Sequence, residues 1–184
     1  MLSIYVTRRM IRVFMGTNIF KALYPFYLCN VSTILVSVVA IRGKYTKWAN
    51  FPLICGFLGG IITFCIPDGI FSDKYLNFNV LDSVTSHWGI ILIPLCAWIK
   101  GINRPKLKDI WIVYLGLLII FINVEVIQKV IFNESFDYLF LDENLPIKID
   151  FMPSYLFVPT LFCLVVFLMH VVFNTVNKKA KLKN

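Results

Sequence analysis

Two histidines and five cysteines carry most of the covalent and proton-transfer chemistry available to this chain. His87 stands in Leu81–Ile99, which opens Leu-Asp-Ser-Val-Thr-Ser-His-Trp-Gly and then turns almost wholly apolar. That is how a transmembrane helix begins at a water boundary. Asp82 or Ser83 is predicted to cap the first turn, which places His87 about one turn inside, at the edge of the hydrocarbon. A cysteine beside it can form a thiolate, attack an acyl carbonyl and carry a thioester. Cys29 and Cys65 lie at a matching depth. Cys96 and Cys163 fall in the middle of their spans, and Cys55 near the opposite boundary. Depth alone does not choose between Cys29 and Cys65, and a buried cysteine by itself is an ordinary small hydrophobe.

The elements that must position these groups are membrane helices. With 59% hydrophobic residues and a mean hydropathy of +0.78, the chain is too apolar for a soluble domain. Backbone polar groups in lipid must be satisfied internally, so it becomes a helix bundle or a closed barrel. Its apolar runs are continuous rather than alternating, which selects the bundle. The expectation is an all-α polytopic membrane domain over residues 1–184, with spans near 25–41, 51–67, 83–99, 109–132 and 153–174. Residues 1–21 mix four basic residues with Ile, Val, Met and Phe, a pattern suited to a helix on the membrane surface. A short re-entrant piece over 10–28 is the alternative. Gly56, Gly59 and Gly60 in the second span let a neighbouring helix approach closely.

The net charge of +8 lies in short clusters between the spans, a positive-inside signal rather than a nucleic-acid surface. From residue 42 onward the loops alternate basic and acidic, which puts the basic loops and the C-terminus in the cytoplasm of a cell-membrane protein. Arg8, Arg9, Arg12 and Lys21 then stand on the wrong side. No disulfide framework, cleavable signal peptide, soluble second domain, cofactor or metal site is expected; the partner is membrane lipid. Asn123, Glu125, Gln128, Lys129, Tyr138 and Tyr155 gather toward the side that holds His87, while His170 is expected at the opposite interface. Intramembrane polar groups tend to face protein or a wet cavity, so this clustering predicts a polar pocket on one side. It argues against a transport path through the membrane.

Several short motifs carry a family resemblance. Tyr24-Pro25-Phe26-Tyr27-Leu28-Cys29 resembles the Leu-Pro-Leu-His-Leu-Cys motif of YwaF-like bacterial integral membrane proteins. Gly56-Phe57-Leu58-Gly59-Gly60, closing at Pro67-Asp68, resembles their glycine-rich span. Ser86-His87-Trp88-Gly89, Asp137-Tyr138-Leu139-Phe140-Leu141 and Pro153-Ser154-Tyr155 are similar to the motifs that follow, in the same order. That family is related to animal transmembrane phospholipid acyltransferases. The resemblance implies Cys29 as nucleophile and His87 as base, acting on a lipid carbonyl at the outer leaflet, with Asn123, Tyr138 and Tyr155 as substrate-binding or oxyanion groups. Tyr27 replaces the family's histidine, Asp137 its asparagine, and the N-terminus is shorter by a span. The functional expectation is a cysteine/histidine-dependent lipid acyltransferase or hydrolase. The alternative is a non-catalytic membrane protein, an inactive member of that family, that binds a lipid or a partner helix.

Overall fold

A computed structural model describes residues 1–24, 27–65, 78–131 and 153–182. These residues are helical and contain no strand: α1 (Leu2–Phe14), α2 (Ile19–Leu23), α3 (Leu28–Arg42), α4 (Asn50–Cys65), α5 (Phe78–Ile99), α6 (Ile110–Ile122), a π-helical stretch (Asn123–Ile131) and α7 (Ser154–Leu182). Four helical segments are long and apolar enough to cross a membrane: Lys47–Cys65, Phe78–Ile99, Leu107–Ile127 and Leu156–Asn177. They coincide with four of the five expected spans. The fifth, α3, is 15 residues long. That is shorter than the roughly 20 a straight crossing needs. It ends where Gly43 takes φ 62°, a left-handed cap that glycine reaches without a Cβ clash.

The chain forms two compact units, Met1–Ile102 and Asn103–Asn184. In the first, α3, α4 and α5 pack against one another around Val36, Leu53 and Ile90. Glycines on α4 set how closely they pack. A Cβ at Gly56 would lie 3.2 Å from the Cβ of Ser32 on α3 and 3.4 Å from the Cβ of Ile90 on α5. One turn further along, a Cβ at Gly60 would lie 2.6 Å from Ile91 Cγ1 and 3.2 Å from the backbone oxygen of His87. Phe57 meets Trp98 edge-on, with ring centroids 5.0 Å apart, toward the other end of α4.

The N-terminal segment packs against the bundle. α1 and α2 form a short helical hairpin, turning through Gly16 at φ 88°, and Asn18 Oδ1 caps α2 by accepting from the Phe20 N–H at 2.9 Å. α1 runs antiparallel to the first half of α5: Met1 fills the space left by Gly89, and Arg8 reaches Asp82. Tyr5 and Arg9 face inward, while Phe14, Met15 and Phe20 are exposed.

In the second unit the Tyr114 hydroxyl on α6 donates to the Cys163 carbonyl on α7 at 3.2 Å, and the Asn177 amide donates to the Pro105 carbonyl. His170 is fully buried there. Its Nδ1–H donates to the Val166 carbonyl at 2.9 Å. Residues 123–131, expected as the regular outer half of a span, are π-helical.

The packing yields an asymmetric prediction. Gly60→Ala forces Ile91 or the α5 backbone to move and costs about 1–3 kcal/mol, more than the roughly 1 kcal/mol that alanine gains in helix propensity. Gly59→Ala, whose Cβ would meet only Cys29 Sγ at 3.5 Å, leaves stability unchanged or raised. Thermal unfolding in detergent separates the two; equal melting temperatures would mean that α4 and α5 do not approach this closely at Gly60.

Candidate functional site

Cys29 is the second residue of α3, just past the N-cap Tyr27. Its Sγ lies 3.9 Å from Thr63 Oγ1 on α4. Thr63 donates its own proton to the Gly59 carbonyl at 2.7 Å, so its oxygen is left to accept and the thiol S–H is the donor. Cys65, the other thiol of matching depth, is exposed at the last position of α4. All five cysteines are free.

His87 lies on α5, partly buried, with its Nδ1 2.7 Å from the Ser83 carbonyl. A carbonyl only accepts, so Nδ1 carries the ring proton and Nε2 keeps its lone pair. The imidazole meets the Phe64 ring edge-on, centroids 6.2 Å apart, and Phe64 also contacts Trp88 at 5.2 Å. Cys29 and His87 thus both border the last two turns of α4: Gly59 and Thr63 face the thiol, Gly60 and Phe64 face the histidine. Their successors by three residues, Ser32 and Ile90, face the same Gly56. Residues three apart share a helix face, so the thiol and the imidazole sit one turn along from a point where all three helices touch.

Asp82 does not cap α5. The helix begins at Phe78, which puts His87 about 14 Å along it at 1.5 Å per residue. Asp82 is instead a buried interior residue, 3% exposed, whose Oδ2 accepts from Arg8 at 2.8 Å, while Oδ1 accepts from the Ser86 hydroxyl at 3.3 Å. Ser83 is likewise interior and serves His87 through its carbonyl. A carboxylate inside an apolar helix needs a partner, but the sequence leaves Arg8, Arg9, Arg12 and Lys21 equally unassigned, and only the fold selects Arg8.

Arg9 is buried, donates to the Ala22 carbonyl at 3.0 Å, and stacks its guanidinium 4.9 Å from the centre of the Tyr5 ring. Burial holds its pKa below the ordinary arginine value; Tyr5 offsets part of this, and the charges of Arg8 and Arg12 push the same way as burial. Arg12 is exposed. The positive charges of Arg12, Arg8 and Arg9 all act on the phenol of Tyr27, as does Cys29.

Of the remaining expected site residues, Asn123 belongs to the second unit and opens the π-helical stretch. Tyr138 and the side chain of Tyr155 lie outside the described residues, as do those of Gln128 and Lys129. Among the described residues, no group of three His, Cys, Asp or Glu side chains could hold a metal ion.

The sequence model of the TMEM164 family matches residues 1–173, nearly the whole chain and all of the helices described above except the end of α7. The chain belongs to the TMEM164 family. No curated protein and no solved structure matches it. It is a member of a transmembrane family in which Cys29, His87 and the Arg8–Asp82 pair all fall within the matched region.

Breaking the ion pair has unequal consequences depending on which partner is removed. Arg8→Ala leaves a buried carboxylate with only Ser86, and such a loss costs up to about 3 kcal/mol, less to the extent that the 28% exposed Arg8 side chain is already screened by solvent. Asp82→Asn leaves an arginine that can turn to water and costs less. Thermal unfolding combined with trypsin cleavage at α1 checks the order; Asp82→Asn unfolding before Arg8→Ala would contradict it.

Proposed function

We propose that the first unit of this TMEM164-family membrane protein is a thiol-dependent acyl-transfer site acting on a lipid ester, with Cys29 as nucleophile and His87 as general base. The observation that carries this reading is the state of His87: its Nδ1–H is tied to the Ser83 carbonyl, which leaves Nε2 as a proton acceptor on the helix face that borders Gly60 and Phe64. Cys29 borders the same turn of α4. The resemblance to YwaF-like proteins, and through them to animal phospholipid acyltransferases, supports the same pair.

In this reading Nε2 takes the thiol proton and the Cys29 sulfur bonds to the ester carbonyl carbon. The carbon–oxygen bond to the leaving alcohol breaks, and that alcohol takes the proton back from His87. A second alcohol, or water, then attacks the thioester with His87 again as base, which restores the thiol. The Phe64 and Trp88 rings provide an apolar wall on which an acyl chain can lie. The site opens toward the outer leaflet, with the basic loops and the C-terminus in the cytoplasm.

One observation favours the second reading. The hydrogen-bond partner of the thiol among the described residues is Thr63, not His87. A thiol held that way suits a non-catalytic pocket that binds a lipid or a partner helix.

Labelling decides between the two. With an acyl-thioester or alkylating lipid probe, Cys29→Ser is expected to abolish labelling, and His87→Gln to slow it by roughly 10²-fold or more, the usual worth of a general base. Equal labelling rates with and without His87 would select the non-catalytic pocket.

A further inference from the structure

At the end of the first unit away from His87, cations and exposed apolar side chains stand next to each other. α3 finishes at Arg42 and turns at Gly43 into Lys44, Tyr45, Thr46 and Lys47, while α5 finishes at Ile99 and is followed by Lys100. The two stretches share this end because Tyr45 and Trp98 both pack against the cluster of Val36, Ala49, Leu53 and Ile90. Arg42, Lys44, Lys47 and Lys100 are all exposed. Residues 1–67 and 83–108 contain no Asp or Glu, so neither the α3–α4 connection nor the far half of α5 supplies an acid. Asp82 is about 26 Å back along α5 from Ile99, at 1.5 Å per residue, and Asp68 and Asp73 belong to the segment that joins the opposite ends of α4 and α5. Large apolar side chains adjoin the cations in the chain: Ile41 is 75% exposed, Ile99 76% and Trp48 55%. Lys47 Nζ lies over the Trp48 ring, 5.6 Å from its centre. Whatever covers this end must offer negative charge and hydrocarbon at the same level.

We propose that the α3–α4 connection binds an anionic phospholipid, with Arg42, Lys44 and Lys47 at its headgroup and Ile41 and Trp48 against its acyl chains. Indole rings and long basic side chains settle at the headgroup boundary, where the apolar part stays in hydrocarbon and the polar tip meets the phosphate. The Trp48 ring attracts the Lys47 ammonium and so holds one cation at that level. Ile99 and Lys100 repeat the same apolar-to-basic step at the end of α5, which fixes the boundary on two helices. A free phosphate or an acidic peptide would satisfy the cations and leave Ile41 and Trp48 uncovered; a phospholipid meets both. This surface goes beyond the acyl-transfer reading and requires neither Cys29 nor His87.

The test uses the full chain in detergent micelles, stripped of lipid and titrated with phosphatidylglycerol that carries brominated acyl chains, which quench indole fluorescence. Saturable quenching is expected, and Trp48→Phe removes it. Brominated phosphatidylcholine, with the same chains and a zwitterionic headgroup, is expected to bind at least roughly tenfold more weakly. Arg42→Gln combined with Lys44→Gln weakens phosphatidylglycerol binding about 25-fold, fivefold for each basic residue near an anionic lipid surface, with the melting temperature as the check that the fold is kept. Arg104→Gln combined with Lys106→Gln removes the same charge from a basic stretch of the second unit and leaves the binding intact, as does Cys29→Ser. Equal affinity for the two lipids, equal weakening by the two double variants, or quenching unchanged in Trp48→Phe overturns the proposal. Release of the lipid by equimolar inorganic phosphate or polyglutamate overturns it as well, because charge alone would then account for the binding.

Discussion

The first unit depends on how closely α3 and α5 approach α4. Helices in lipid gain little from the hydrophobic effect against one another and associate through van der Waals contact and hydrogen bonds. Close approach is therefore where their stability comes from, and it requires small residues at the points of contact. Gly56 supplies one such point, with Ser32 and Ile90 converging on it, and Gly60 supplies another, where the α5 backbone itself comes within contact range. At Gly59 the packing is looser, since even a Cβ there would lie 3.5 Å from the Cys29 sulfur. The same spacing that makes the bundle cohere thus decides where the thiol and the imidazole can be. They are carried to the same turn of α4 by backbone packing, with no direct bond needed between them.

A second constraint comes from charge. Asp82 lies within an apolar helix, where a lone carboxylate would be expensive to desolvate. Arg8 and Ser86 offset that cost, and in doing so they tie α1 along the half of α5 that also bears His87. The hairpin of α1 and α2 is thereby part of the unit, and two of its arginines, Arg8 and Arg9, are drawn into its packing while Arg12 stays exposed. Arg8 holds a carboxylate, and Arg9 caps the Ala22 carbonyl while stacking on Tyr5. These positions account for basic residues that violate a count of loop charges: the positive-inside rule describes charges left in short loops, and Arg8 and Arg9 are inside the packing.

The chemistry available to the site follows from hydrogen bonds along single helices. The Ser83 carbonyl is one turn before His87, so α5 itself selects the imidazole tautomer. The Gly59 carbonyl is one turn before Thr63, so α4 itself turns the Thr63 oxygen into an acceptor for the thiol. Each group is set by its own backbone; only the pairing of helices brings the thiol to Gly59 and Thr63 and the imidazole to Phe64, on neighbouring positions of α4.

The class of the protein was legible in its sequence. Long continuous apolar runs have one stable form in lipid, and four of the five expected spans correspond to helices of crossing length. The glycine spacing of α4 also announced a close contact, because small residues let helix backbones approach. Three things were not legible. Asp82 reads locally as a cap, since an acid before an apolar run is a common helix start, yet the helix begins at Phe78 and Asp82 answers to Arg8, 74 residues away. The N-terminal segment reads as a surface helix, because amphipathy identifies the face that seeks burial and says nothing of what will cover it. The place of His170 near the end of a span gives its depth and says nothing of its packing, and it is fully buried. Periodicity and composition are properties of one segment and were sufficient for the helices. Which helix lies beside which, and so which charge, thiol or ring meets which partner, depends on contacts between distant segments, and only the folded chain decides those.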